Sequence, residues 1–125
     1  MIRLNPYINF QGRAREALTF YQKVLGGQLD LRPADPNERV TYARLEAEGI
    51  AIVGADGHPN YPPTVGDNMA LALSGSDKDQ ITAIFNGLAE DGKVKGPLNE
   101  QPGGATVGYL LDQFGINWVV TIEPE

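Results

Sequence analysis

Two periods of apolar residues alternate along the chain. Ala17, Leu18, Tyr21 and Leu25 recur at helical spacing, which predicts an amphipathic helix over residues 14–25 that stops at Gly26-Gly27. Ile81, Ile84, Phe85 and Leu88 mark a second over residues 77–89, with Ser76 as its N-cap, Asp79 three residues on, and Gly92 beyond its end. A single apolar stripe on each points to packing against a core rather than capture of a partner. Elsewhere the period is two, which predicts strands. Residues 3–10 set Leu4, Ile8 and Phe10 against Asn5, Tyr7 and Asn9, and residues 68–73 set Met69, Leu71 and Leu73 against Asn68, Ala70 and Ala72. Further strand patterns follow each helix: 28–31, 40–47 and 50–53 after the first, then a weak 93–95, 106–111 and 116–122 after the second.

One strand, one helix and three strands thus occur twice, in the same order, as an internal duplication would place them. An offset of 63 carries Asn5 to Asn68, Leu18 to Ile81 and Leu25 to Leu88, and an offset of 66 carries Leu45 to Leu111, Glu46 to Asp112, Gly49 to Gly115 and Val53 to Val119. Residues 54–67, rich in Gly, Pro and Asn, read as a linker loop between a first module of about residues 1–55 and a second of about 68–125. The expected fold class is α+β, with two tandem βαβββ modules in one domain of 125 residues.

Alternation also assigns faces. Asn5, Tyr7 and Asn9 lie opposite the helix-facing side of the first strand, and such polar and aromatic groups suit a lined cavity better than a dry core. On residues 40–47, Thr41, Ala43, Leu45 and Ala47 form a small apolar face, leaving Tyr42, Arg44 and Glu46 opposite. A curled sheet would bring these faces together as a half-open barrel. A guanidinium facing inward from a central strand is costly unless paired, which singles out Arg44. Three roles are open to it: an ion pair with Glu46 or Asp112, exposure at the rim, or anchorage of a ligand carboxylate or phosphate. In the last, Tyr7 and Tyr42 would offer stacking surfaces, and Asn5, Asn9 and Asn68 hydrogen bonds. Trp118 falls on the opposite face from Val119 and is expected in the core.

Composition narrows the function classes. Hydrophobic residues at 42% and charged residues at 21% are globular proportions. The net charge of −6, from 16 acidic and 10 basic residues with no clustering, argues against a nucleic-acid partner and would mildly favour a cationic ligand. The longest apolar runs, residues 50–55 and 69–73, fall far short of the ~20 residues of a membrane span. Residues 1–10 show no basic region followed by an apolar stretch, so no signal peptide is read and a cytoplasmic location is the default expectation. The absence of cysteine excludes disulfides and thiolate chemistry.

Familiar catalytic patterns are missing too. His58, the one histidine, lies in Asp56-Gly57-His58-Pro59-Asn60-Tyr61-Pro62-Pro63, which reads as an exposed loop, or in a less favoured reading as a lid. The two serines, Ser74 and Ser76, sit near the second helix start, where capping explains Ser76, so a Ser–His–acid triad is not supported. Gly103-Gly104-Ala105-Thr106-Val107-Gly108 lacks the lysine and spacing of a phosphate loop.

Asn5-Pro6-Tyr7-Ile8-Asn9-Phe10, with Gly12, Ala14, Glu16-Ala17, Phe20-Tyr21 and Leu25-Gly26-Gly27, resembles the start of the vicinal oxygen chelate superfamily, which includes glyoxalases, bleomycin-resistance proteins and dihydroxybiphenyl dioxygenases. The resemblance is closest to its PhnB-like subgroup, and Asp112-Gln113-Phe114-Gly115 followed by Trp118 is similar to that subgroup's last hairpin. The resemblance implies paired βαβββ modules, a cup-shaped mixed sheet and a homodimer. It also implies one of two branches: divalent-metal enzymes such as lyases and ring-cleaving dioxygenases, or metal-free proteins that bind and sequester drugs. Metal-dependent members carry His, Glu or Gln at four positions, here Asn5 (or Pro6), Val53, Asn68 and Val119. The subgroup's frequent histidines are replaced here by Tyr42 and Ile116. Valine cannot ligate and an amide oxygen is a poor donor for Zn, Fe or Ni, so no metal and no cofactor are expected. The methyltransferase label attached to some relatives finds no glycine-rich nucleotide fingerprint here. The expectation is therefore a metal-independent small-molecule-binding protein, with a metal-dependent lyase or dioxygenase, or an uncharacterised PhnB-like enzyme, as the alternative.

Overall fold

In the computed structural model, which describes residues 2–124, the chain runs β1 (Tyr7–Asn9), α1 (Ala14–Leu25), β2 (Gln28–Arg32), β3 (Tyr42–Ala47), β4 (Ile50–Ala55), β5 (Leu71–Gly75), α2 (Lys78–Leu88), β6 (Lys93–Glu100), β7 (Thr106–Leu111) and β8 (Asn117–Ile122). This is βαβββ twice, in an α+β fold. The two compact units are Met1–Thr64 and Val65–Glu125. Each holds one four-stranded mixed sheet, ordered β1-β4-β3-β2 in the first and β5-β8-β7-β6 in the second. β1 pairs parallel with β4 and β5 with β8, while the remaining neighbours are antiparallel.

In the first unit α1 packs on β2 and β3. Its stripe of Ala14, Ala17, Leu18 and Tyr21 is fully buried, as are Ala43 and Leu45 of β3. Full burial of a side chain the size of Leu18 stabilises the fold by about 2 kcal/mol relative to exposure. In the second unit Ile81, Phe85 and Leu88 of α2 are buried in the same way, with Leu110, Trp118, Val120 and Ile122.

Several sequence expectations need correction. β1 covers only Tyr7–Asn9, not residues 3–10, because Pro6 has no N–H for the ladder and contributes only its carbonyl, to Val53 N–H at 3.0 Å. β5 begins at Leu71 rather than at residue 68. α2 is capped by Asp77, not Ser76: the Asp77 carboxylate accepts the Gln80 N–H at 3.1 Å. β4 continues through Gly54 and Ala55, so the linker starts later than expected. The weak pattern at residues 93–95 is the start of an eight-residue strand, β6, whose pairing with β7 shifts register on either side of Gly96. Pro97 lies inside it, which an edge strand tolerates and a period-two search does not reward.

The duplication also aligns differently. Leu45 pairs with Ile52 and Leu110 with Trp118, so the buried Leu45 corresponds to the buried Leu110 rather than to Leu111. The cause is turn length. Glu48-Gly49 joins β3 to β4, whereas residues 112–116 join β7 to β8, closed by Asp112 N–H to the Ile116 carbonyl at 2.9 Å.

Gly54 shows how tightly the first unit is closed. A Cβ there would stand 2.6 Å from Phe10 Cε2 and 2.8 Å from the Ile8 carbonyl oxygen. Phe10 is buried and the carbonyl is backbone, so neither can retreat cheaply. Gly54→Ala is expected to destabilise the protein by about 2–3 kcal/mol in urea unfolding. An unchanged midpoint would show that β1 yields freely.

Candidate functional site

The face of the first sheet opposite α1 is built by strand register. Arg44 pairs with Val53 on one side and Asp30 on the other, and Val53 pairs with Tyr7, so Tyr7, Val53, Arg44 and Asp30 form one cross-strand row. Tyr42 and Glu46 flank Arg44 along β3. Arg32 lies across from Tyr42, with its guanidinium carbon 5.2 Å from the ring centroid.

Both arginines hold a carboxylate, and that of Arg44 is shared with Arg3, whose Nη1 stands 3.9 Å from Glu46 Oε2. Arg44 Nη2 and Nε reach Glu46 Oε2 at 2.6 and 3.2 Å, and Arg32 Nη2 and Nε reach Asp30 Oδ2 at 2.8 and 3.0 Å. The Arg44 side chain is 21% exposed while Glu46 is 53% exposed, so the carboxylate is the freer partner to move. The hydrogen bond from Arg44 is the main cause that holds the Glu46 carboxyl below its ordinary pKa. Glu46 first and Tyr42 second hold the Arg44 guanidinium above its own. The arrangement is a cationic fork next to a phenol, blocked by one exchangeable carboxylate.

Of the residues singled out in the sequence, Tyr7, Asn9, Tyr42 and Arg44 fall on this face. Asn9 is partly committed, since its Oδ1 accepts the Gln11 N–H at 2.9 Å. Asn5 precedes β1, and it is Tyr7 that stands directly across from Val53. Of the three roles open to Arg44, the ion pair with Glu46 is the one present. Arg32 escaped notice because it ends a strand read as stopping at residue 31.

Asn68 belongs to the second unit. There it lines a hollow of about 280 Å³ with Met69, Lys95, Tyr109, Asn117 and Val119. Lys95 Nζ donates to Asn117 Oδ1 at 3.0 Å across its floor. Lys95 was missed because β6 carried so little strand signal, and Tyr109 because the faces of β7 were not assigned from the sequence.

A divalent-metal site does not fit these residues. The ladder pairs Tyr7 with Val53 and Ala72 with Val119, and Asn5 and Asn68 lie ahead of their strands. These positions offer a phenol, methyl groups and amides where a transition metal wants imidazole or carboxylate. No group of three His, Cys, Asp or Glu side chains able to hold a metal occurs among the described residues.

Two further acids are occupied by structure. Asp112, 3% exposed, accepts Phe114 N–H at 2.8 Å, Ile116 N–H at 3.0 Å and Trp118 Nε1–H at 2.9 Å. Asp56 accepts Ala14 N–H at the start of α1 at 2.8 Å and Val40 N–H at 2.7 Å. His58 is exposed, with its ring 5.5 Å from that of Tyr61.

Two βαβββ units, each with one helix-covered and one side-chain-rich sheet face, define the class to which this chain belongs. The family model for the Glyoxalase/Bleomycin resistance protein/Dioxygenase superfamily matches residues 3–120, and the chain is a member of that superfamily. Among solved structures it is similar to protein PA1353 from Pseudomonas aeruginosa, with 31% identity, a TM-score of 0.88 and full coverage of both chains. A PhnB protein from Bacillus cereus shares the fold, at 24% identity and a TM-score of 0.78, over 98% of this chain and 100% of that one. Protein YjdN of Escherichia coli (strain K12) is 22% identical over 139 residues, covering 95% of this chain and 94% of that protein. No described helix is long and apolar enough to cross a membrane.

Proposed function

We propose that this chain binds small organic anions on the face of its first sheet opposite α1, without a metal, as a ligand-holding member of its superfamily. The observation that carries the reading is Arg44: an arginine in mid-sheet whose side chain is 21% exposed, flanked by Tyr42 and Val53 with Tyr7 beyond Val53, and whose carboxylate partner Glu46 is exposed enough to be displaced. A planar carboxylate or sulfonate would take over the fork bidentately, with its ring against Tyr42 and Tyr7. The net charge of −6 slows encounter with an anion, so affinity rests on the fork rather than on the overall field. Binding of this kind protects by mass action and needs no turnover or cofactor.

The proposal extends to a homodimer in the cytoplasm. β1 and β2 are the edge strands of the first sheet and β5 and β6 of the second, and a second copy would cover unpaired edge groups. Light scattering at the mass of two chains would support this part.

Two measurements test the reading. Elemental analysis of untagged protein should find no stoichiometric Ni, Zn, Fe or Mn, and a chelator should leave the melting temperature unchanged. A thermal-shift screen across planar anions, planar cations and glycopeptides should stabilise the protein with anions. A bound metal lost to chelator together with several degrees of Tm would favour the lyase or dioxygenase alternative instead.

A further inference from the structure

A second hollow, of about 310 Å³, lies in the first unit and shares only Asn9 with the residues of the sheet face. It is walled by Pro59, Pro62 and Pro63, with Arg39 and His58 at its polar side and Asn9 and Asp56 below. We propose that it is a separate binding site for a small aryl carboxylate.

Charge pairing is the first ground. Arg3, Arg32 and Arg44 each pair with a carboxylate, but Arg39 has none within ion-pair distance among the described residues. Its Nη1 donates instead to the Gly57 carbonyl oxygen, a neutral acceptor that aims the guanidinium along the loop and leaves its charge in place. Asp56, the acid that lines the hollow, has both oxygens held by the Ala14 and Val40 amides and makes no ion pair with Arg39; its charge remains and lowers the affinity that Arg39 provides.

His58 supplies the second donor. Its Nδ1 accepts the Asn60 N–H at 3.0 Å, which in the neutral imidazole assigns the ring proton to Nε2. One guanidinium and one imidazole N–H lining a single hollow match the two oxygens of a carboxylate. The rest of the lining decides what the carboxylate is attached to. Three pyrrolidine rings give flat, rigid apolar surface at no cost in side-chain entropy, and the volume admits one aromatic ring with its acid group. The proline content that made this segment read as a linker is, on this view, the wall of a site.

Benzoate titrated into the isotope-labelled full chain, followed by amide chemical shifts, tests this directly. The expected result is saturable shifts at Gly57, His58 and Asn60. Arg39→Gln should weaken binding by about tenfold, with Arg39→Lys intermediate, because lysine keeps the charge and loses the fork. His58→Ala should also weaken it, while Arg44→Gln leaves it unchanged. Cyclohexanecarboxylate should bind more weakly than benzoate. Arg39 and His58 are exposed, so unchanged melting temperatures should accompany these losses. Absence of saturable shifts, Arg39→Gln binding like the parent, or shifts that move to β3 and vanish with Arg44→Gln would each overturn the proposal. The last result would still leave the sheet-face site standing.

Discussion

Replacing Asp112 with alanine is expected to destabilise the protein by about 3–5 kcal/mol, the largest effect of any single polar substitution in the chain. The carboxylate is 3% exposed and accepts three N–H groups, two from its own turn and one from the Trp118 indole. Its loss leaves those donors without their acceptor inside a dry hairpin, and each such group costs about 1–3 kcal/mol. Asp112→Asn restores one acceptor oxygen but brings an NH2 toward donors, so it should recover only part of the loss. Urea unfolding followed by Trp118 fluorescence reports both stability and the indole's surroundings. A Asp112→Ala protein within 1 kcal/mol of the parent, judged against the ~1–3 kcal/mol of even one orphaned donor, would mean that water replaces the carboxylate and that the hairpin is open.

The second large effect concerns the site. Arg44→Gln is expected to weaken binding of any anion found by screening by about tenfold, because it removes both the charge and the bidentate fork. Glu46→Gln should do the reverse, because it removes the group that occupies the fork. The pH dependence carries the same sign. Glu46 has its carboxyl pKa lowered chiefly by Arg44, so the pair contributes above the ordinary carboxylate range and is lost as pH falls through the depressed value. In that acid window an aryl sulfonate, which stays ionised, should bind the parent more tightly and Glu46→Gln with little change. Calorimetric titration of the parent and both variants separates these outcomes. Equal affinity in Arg44→Gln would move the anchor elsewhere.

Much of the fold was legible because periodicity is a strong signal where one face is buried. Both helices, the buried Trp118, and the split of β3 into a small apolar face and a Tyr42–Arg44–Glu46 face could be read from spacing alone. What escaped was set by pairing rather than by pattern. Pro6 trims β1 from within, an effect that alternation does not register. β6 is an edge strand with Pro97 and a register shift, so its residues satisfy no strict period. The extra turn residues between β7 and β8 displace the repeat by one position, and a matching of leucines placed Leu45 on the wrong partner.

The site was legible in part for the same reason. Alternation put Tyr7, Tyr42 and Arg44 on one face, but only the ladder shows Tyr7 rather than Asn5 across from Val53. Likewise the sequence left Arg44 a choice between Glu46 and Asp112. Geometry assigns Glu46, and Asp112 is held by its own hairpin. Arg39 and Lys95 gave no pattern at all, since a lone cation between turn residues is indistinguishable from a solvated one until its neighbours are placed.

The most direct measurement is a crystal structure of chelator-treated protein with the tightest anion from the screen. The expected result is the anionic group on the Arg44 guanidinium, the ring against Tyr42 and Tyr7, and Glu46 turned away. An ion held by protein atoms, or the anion seated away from Arg44 with the Arg44–Glu46 pair intact, would contradict metal-free binding on the first sheet.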